Sequence, residues 1–103
     1  MTTPAKKSVT GLSTKDLLFA LAHYDRWRIL SVLLKSTEPI PIYEIARRAG
    51  ITPTSTSKHA GILYKAGLLH RGYGNLYRIT PDYIVPGENT LNFGPIILKF
   101  DAA

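Results

Sequence analysis

The sequence predicts one small α+β domain, with four short helices followed by a β-hairpin and two or three further strands. Two patterns lead to that reading. Through residues 13–66 apolar side chains recur every three or four positions, the period of a helix, whereas from residue 68 short apolar runs are broken by glycine, proline and asparagine. Length is the third constraint. A chain of 103 residues buries about two thirds of the surface its unfolded form exposes, enough for a single core and no second one.

Each helix carries its own start and stop signals. Ser13 followed by Asp16 resembles a capping box and opens a first helix that runs to about Ala22. Its stretch Leu17-Leu-Phe-Ala-Leu-Ala22 is apolar nearly all round, so the helix must be covered on more than one side. Asp25 is placed to cap a second helix, Arg26 to Lys35, in which Trp27, Leu30, Leu33 and Leu34 form the core face while Arg26 and Arg28 project elsewhere. Lys35-Ser-Thr-Glu-Pro-Ile-Pro41 is then a turn and a short extended piece, because each proline biases its predecessor away from the helical region.

A third helix spans about Ile42 to Ala49, with Ile42, Ile45, Ala46 and Ala49 facing inward and Gly50 as its stop. Thr52 caps the fourth helix, Pro53 takes the first position, where a missing N–H costs nothing, and Gly67 ends it. Thr56, Ala60, Leu63 and Ala66 share its packing face. Thr54, Ser55, Ser57, Lys58 and Lys65 lie largely on the others and make a small, polar, cationic surface. A short helix, a turn containing Gly50 and a second helix is the helix-turn-helix order, in which the first member crosses the DNA backbone and the second enters the major groove. Taken alone, the fourth helix reads equally well as an ordinary surface helix rich in serine and threonine, and its neighbours favour the first reading.

Beyond Gly67, residues 68–71 and 76–79 read as two strands joined through Gly72-Tyr-Gly-Asn75, whose glycines permit the positive φ of a tight turn. Arg71 and Arg78 sit on this hairpin and Tyr73 and Asn75 near its tip, within reach of a neighbouring phosphate or minor groove. From Pro81 onward, Tyr83-Ile-Val85, Leu91-Asn-Phe93 and Ile96-Ile-Leu-Lys-Phe100 suggest short strands, with Ile96, Leu98 and Phe100 on a buried side and Ile97 on the other. The chain therefore divides into a disordered tail (1–12), a helix-turn-helix domain with a hairpin wing (13–80) and a strand extension packed on the same domain (81–103).

These residues together resemble the ArsR type of winged helix-turn-helix transcriptional regulator. The resemblance covers about Leu17 to Thr80. It rests on Leu21-Ala-His-Tyr-Asp-Arg-Trp-Arg-Ile-Leu30, on Ile42-Tyr-Glu-Ile-Ala46 with Ala49-Gly-Ile51, and on Ser55-Thr-Ser-Lys-His59 with Leu63-Tyr-Lys-Ala-Gly-Leu-Leu69. It implies sequence-specific DNA binding, usually as a homodimer and often as a repressor. The metal-sensing members place cysteines near the third helix, and Ile40-Pro-Ile-Tyr-Glu-Ile45 has none, which excludes thiolate sensing. The family commonly adds a C-terminal helix to the dimer interface, and short strands stand there instead.

Charge agrees with a polyanionic partner. The net charge is +6, and between residues 42 and 80 the cations Arg47, Arg48, Lys58, Lys65, Arg71 and Arg78 face only Glu44, whereas the residues from Pro81 on are net acidic. Clustered cations neutralise phosphates and release their counterions. The expected DNA contacts are thus Thr54, Ser55, Ser57, Lys58 and His59 on the fourth helix, with Arg47, Arg48, Lys65, Arg71, Tyr73, Asn75 and Arg78 around it. The first helix, through Leu17, Leu18, Phe19 and Leu21, is expected to form a homodimer, with the C-terminal strands as a second candidate surface. The alternatives are a winged-helix protein-interaction module and a nucleic-acid-binding part of a replication or partition complex.

Other chemistry finds little support. No cysteine occurs, so neither a disulfide nor a thiolate metal site is available and the cytosol is the expected compartment. No signal peptide is expected in residues 1–10, and nowhere do the roughly eighteen consecutive apolar residues of a membrane helix occur. His23, His59 and His70 are not spaced to chelate a metal on one helix turn. Ser55 and Ser57 lack a nearby base and orienting acid, and no glycine-rich phosphate loop is present, so neither an enzyme nor a cofactor is expected.

Overall fold

The computed structural model describes residues 12–101; the tail expected at residues 1–12, except for Leu12, and the last two residues lie outside them. The helices are Thr14–Ala20 (α1), Tyr24–Lys35 (α2), Ile42–Ala49 (α3) and Pro53–Lys65 (α4). Leu69–Arg71 (β1) and Tyr77–Ile79 (β2) form one antiparallel hairpin, Pro81–Tyr83 a 3-10 turn, and Thr90–Asn92 (β3) and Ile97–Lys99 (β4) a second hairpin. The result is a small α+β domain with the expected order of elements. Among the described residues no helix is long and apolar enough to cross a membrane.

Local chemistry fixes the helix ends. The Ser13 hydroxyl accepts from the Asp16 amide at 3.1 Å and starts α1 as expected, but the helix stops at Ala20 instead of Ala22. Helix α2 starts earlier than expected, and its cap is His23, not Asp25: the imidazole Nδ1 accepts from the Asp25 amide at 3.1 Å. Asp25 then lies in the first turn, where a carboxylate suits the positive end of the helix dipole. Thr52 accepts from the Ser55 amide and caps α4, with Pro53 at its first position. Gly50 (φ 75°) and Gly67 (φ 85°) end α3 and α4 in the left-handed conformation. In both turns the following amide reaches back, Ile51 to the Ala46 carbonyl and Leu68 to the Leu63 carbonyl.

One core runs through every element. Leu17 and Ala20, Ile29 and Leu30, Ile45, Leu63, and Leu69 with Ile79 meet Tyr83, Leu91 and Leu98 from the C-terminal extension. Leu12, expected in the tail, also packs against it. Helix α2 is rotated from its expected setting. Arg26 and Ile29 are buried while Trp27 keeps 39% of its surface exposed, so the expectation that Arg26 projects outward is overturned. Leu17 of α1 and Leu21, just past its end, are buried in the core of the domain, whereas Leu18 (56% exposed) and Phe19 (64%) remain on the outside.

Ile40 bridges to Tyr77, adding the extended piece before α3 to the edge of the first hairpin. The strand expected at 83–85 does not form. Tyr83 belongs to the 3-10 turn and Ile84 makes a single bridge to Leu91, consistent with Pro81 fixing a turn-compatible φ and Pro86 offering no amide to a ladder. In β4 the expected alternation holds, with Leu98 buried and Ile97 54% exposed. A radius of gyration of 13.1 Å is that of a closed domain of about 100 residues, so the extension folds back on the helices.

Because Leu91 is fully buried in this shared core, Leu91→Ala should cost about 2–5 kcal/mol while unfolding stays a single cooperative transition. Urea unfolding followed by tryptophan emission and far-UV circular dichroism checks this; separate transitions would show that the extension folds as its own unit.

Candidate nucleic-acid interface

Helix α4 lies between the turn at Gly50 and strand β1, packed against α2 and α3. Its buried face is Thr56, His59, Ala60 and Leu63. Thr56 is held there by donating from Oγ1 to the Thr52 carbonyl at 2.8 Å. On the opposite face Thr54, Ser57, Lys58 and Lys65 are exposed, and Ser55 is half-buried. Helical spacing puts Thr54, Ser57, Lys58, Gly61 and Lys65 on one side, as expected for all but Gly61, which the sequence reading passed over. A Cβ built on Gly61 meets nothing within 4 Å, so no contact inside the fold requires glycine there.

His59 does not share that surface. It is 5% exposed, and its Nδ1 accepts from Arg26 Nε at 3.2 Å. Its expected contact with phosphate is therefore overturned: with Ala60 and Leu63 it belongs to the packing face. Arg26 also donates through Nη1 to the Phe19 carbonyl (2.7 Å) and to that of Ala20 (3.4 Å), so one buried guanidinium joins the end of α1 to α4. His23 packs beside His59, with ring centroids 4.2 Å apart.

Three-dimensional packing thus assembles what the sequence spacing did not suggest. His23, Asp25 and His59 each present a potential ligand atom, all within 4.8 Å of one another. Both Nδ1 lone pairs are already engaged by donors, and the Arg26 cation sits alongside. A metal at Nε2 would need an imidazolate or broken hydrogen bonds, so the cluster is chemically a hydrogen-bonded network that runs from the exposed His23 to the buried His59.

The cations expected to flank α4 fall into two groups. On α3, Arg47 and Arg48 both pair with Glu44, Arg48 Nε at 2.6 Å, and these hydrogen bonds lower the Glu44 pKa to about 2. The trio carries one net positive charge. Lys58, Lys65 and Arg78 make no ion pair among the described residues. Arg71 lies over the Tyr64 ring at 4.6 Å, and its pKa is raised, chiefly by Tyr77 opposite it on β2.

On the hairpin, Arg78 stands opposite His70 and both are exposed. At the tip Tyr73 is fully exposed and Asn75 adopts φ 58°, a left-handed conformation that asparagine tolerates. A cleft of about 530 Å³ joins the end of α4 to the hairpin through Tyr64, His70, Arg71, Tyr73 and Arg78, and no acidic side chain lines it. Tyr64 and His70 were not among the expected contacts; His70 precedes Arg71 on β1, whereas only the packing of α4 on β1 brings Tyr64 to Arg71.

No protein-family model matches the chain, and none of the curated proteins matches it.

Burial, with His23 and Arg26 beside it, lowers the His59 pKa below its ordinary 6.5, partly offset by Asp25. The folded state then binds fewer protons than the unfolded chain as pH falls below 6.5, and the stability that neutral His59 contributes, present above that pH, is lost on acidification. His59→Gln should reduce the loss of stability between pH 7 and pH 5 seen in the wild type. Urea midpoints at the two pH values decide it, and an undiminished loss in the variant would assign the effect elsewhere.

Proposed function

We propose that the chain binds double-stranded DNA as a winged helix-turn-helix protein and regulates transcription, with α4 in the major groove and the β1–β2 hairpin as the wing. The observation that carries this reading is the outward face of α4, where Thr54, Ser57, Lys58 and Lys65 are exposed beside the half-buried Gly61, so that the side chains are short or cationic. Residues 45–81 contain no acidic side chain, and Glu44 just before them is already bound by two arginines. The similarity of residues 17–80 to ArsR-type regulators supports the same conclusion.

The roles follow from side-chain size and charge. Thr54 and Ser57, near the helix N-terminus, suit base edges; Lys58, Lys65 and Arg78 suit phosphates. Arg47 and Arg48 add less than their number suggests while Glu44 holds them. Glycine inside a helix costs about 1 kcal/mol relative to alanine, and with open space around Gly61 the compensation sought is close approach of the DNA. As a homodimer, the chain would use Leu18 and Phe19, the two large apolar side chains α1 leaves in water.

A protein-interaction module is the second reading. It is favoured by the same exposed pair and by Tyr24, 70% exposed at the start of α2. Such a module would keep its binding when the cations of α4 and the hairpin are replaced.

Binding to random-sequence duplex should fall by orders of magnitude between about 50 and 200 mM salt, and Lys58→Ala or Arg78→Ala should each flatten the log–log salt slope by roughly 0.9. No binding by the wild type at low salt would move the assignment to the interaction module. Gly61→Ala separates function from fold: it should stabilise the domain by up to about 1 kcal/mol yet weaken duplex binding by about tenfold. Thermal unfolding and fluorescence anisotropy on the same preparation measure both, and unchanged affinity would remove Gly61 from the interface.

A further inference from the structure

Away from α4 and the hairpin, a second cleft of about 430 Å³ opens between α2, the last turn of α3 and strand β4. Its aromatic wall is Tyr24, Trp27 and Phe100. The indole is fixed in place: Nε1 donates to the Leu21 carbonyl at 2.6 Å, and the ring lies within 13° of parallel to Phe100 at a centroid separation of 6.2 Å. Tyr24 and Trp27 nevertheless keep 70% and 39% of their surfaces in contact with water.

The rim of the same cleft is cationic. Arg28, Lys35, Lys99 and Arg48, the last already paired with Glu44, line it, with Asp101 as the single acid in the lining. Arg28 lies 5.1 Å over the Tyr24 ring, which places a guanidinium beside an exposed aromatic face.

We propose that this cleft binds a small planar organic anion, an aromatic carboxylate or an aryl phosphate. Its ring would stack on the Trp27 and Tyr24 faces, and its charged group would take hydrogen bonds from Arg28 and Lys99. The volume lies in the range of small-molecule sites. A second copy of the chain offers a poorer fit, since its exposed apolar side chains would desolvate the cationic rim. Duplex DNA satisfies the rim but leaves the aromatic wall bare, because paired bases stay in their own stack. The assignment does not rest on the DNA-binding reading.

Trp27 is the only tryptophan, so its emission reports on this cleft directly. The full chain is titrated with benzoate and with phenyl phosphate, and cyclohexanecarboxylate and inorganic phosphate serve as controls. A saturable change in emission is expected with at least one of the aryl anions. The double variant R28Q/K99Q should bind it about tenfold more weakly, with an unchanged circular dichroism spectrum. Tyr24→Ser, at a largely exposed position, provides a second variant that should also weaken binding if the first is misfolded. The proposal is overturned by no saturable change in the wild type, by equal binding in both variants, or by inorganic phosphate reproducing the response. It is likewise overturned if emission follows only protein concentration, which marks a contact between copies, or responds only to duplex DNA.

Discussion

A cation carried into the packing between helices must find hydrogen-bond acceptors there, and Arg26 meets that demand with three. Its guanidinium takes the carbonyls of Phe19 and Ala20 at the end of α1 and the Nδ1 of His59 on α4. Hydrogen bonds to a charged group contribute about 1.5–3 kcal/mol each, and leaving such a group unsatisfied costs more. The consequence is geometric. The C-terminal end of α1, the first turn of α2 and the middle of α4 are held in one arrangement, and the outward face of α4 is set by what its inward face must provide. His59 has to point at Arg26, so Ser57 and Lys58 point to solvent.

The same arrangement separates the charges. Pairing Glu44 with two arginines leaves Lys58, Lys65, Arg71 and Arg78 as the cations around α4 and the hairpin that have no ion pair among the described residues. In the DNA-binding reading these four carry the electrostatic attraction, and the α3 trio contributes through one net charge. The C-terminal extension carries the acidic surplus of the chain, yet it contributes Tyr83, Leu91 and Leu98 to the common core. It is a structural part of the domain that also closes one side of the cleft at Trp27.

Local signals sufficed for most of the backbone. Ser13, Thr52, Pro53, Gly50 and Gly67 act within one turn of their own positions, through an amide to be capped or a φ that only glycine adopts freely, so helix ends near them were legible in advance. The exposed face of α4 was legible for the same reason, since 3.6-residue periodicity is a property of the helix alone. Where the expectation failed, the deciding partner was distant in sequence or a competing local geometry was chemically similar. His23 instead of Asp25 caps α2, and both side chains offer an acceptor within reach of a first-turn amide.

The sequence by itself determined the α+β order of elements, the turn at Gly50, the hairpin around Gly72 and Gly74, and the concentration of positive charge between residues 42 and 80. Only the tertiary structure decided that Arg26 and His59 are buried partners, that Leu17 and Leu21 belong to the core while Leu18 and Phe19 do not, and that Trp27, Phe100 and Lys99 share a cleft. The physical reason is range. A cap or a positive φ costs or gains free energy with its immediate neighbours, whereas burial of a charge or an aromatic ring depends on which remote segment covers it. Arg26 and His59 are 33 positions apart, and the chain between them holds no local trace of the hydrogen bond that joins them.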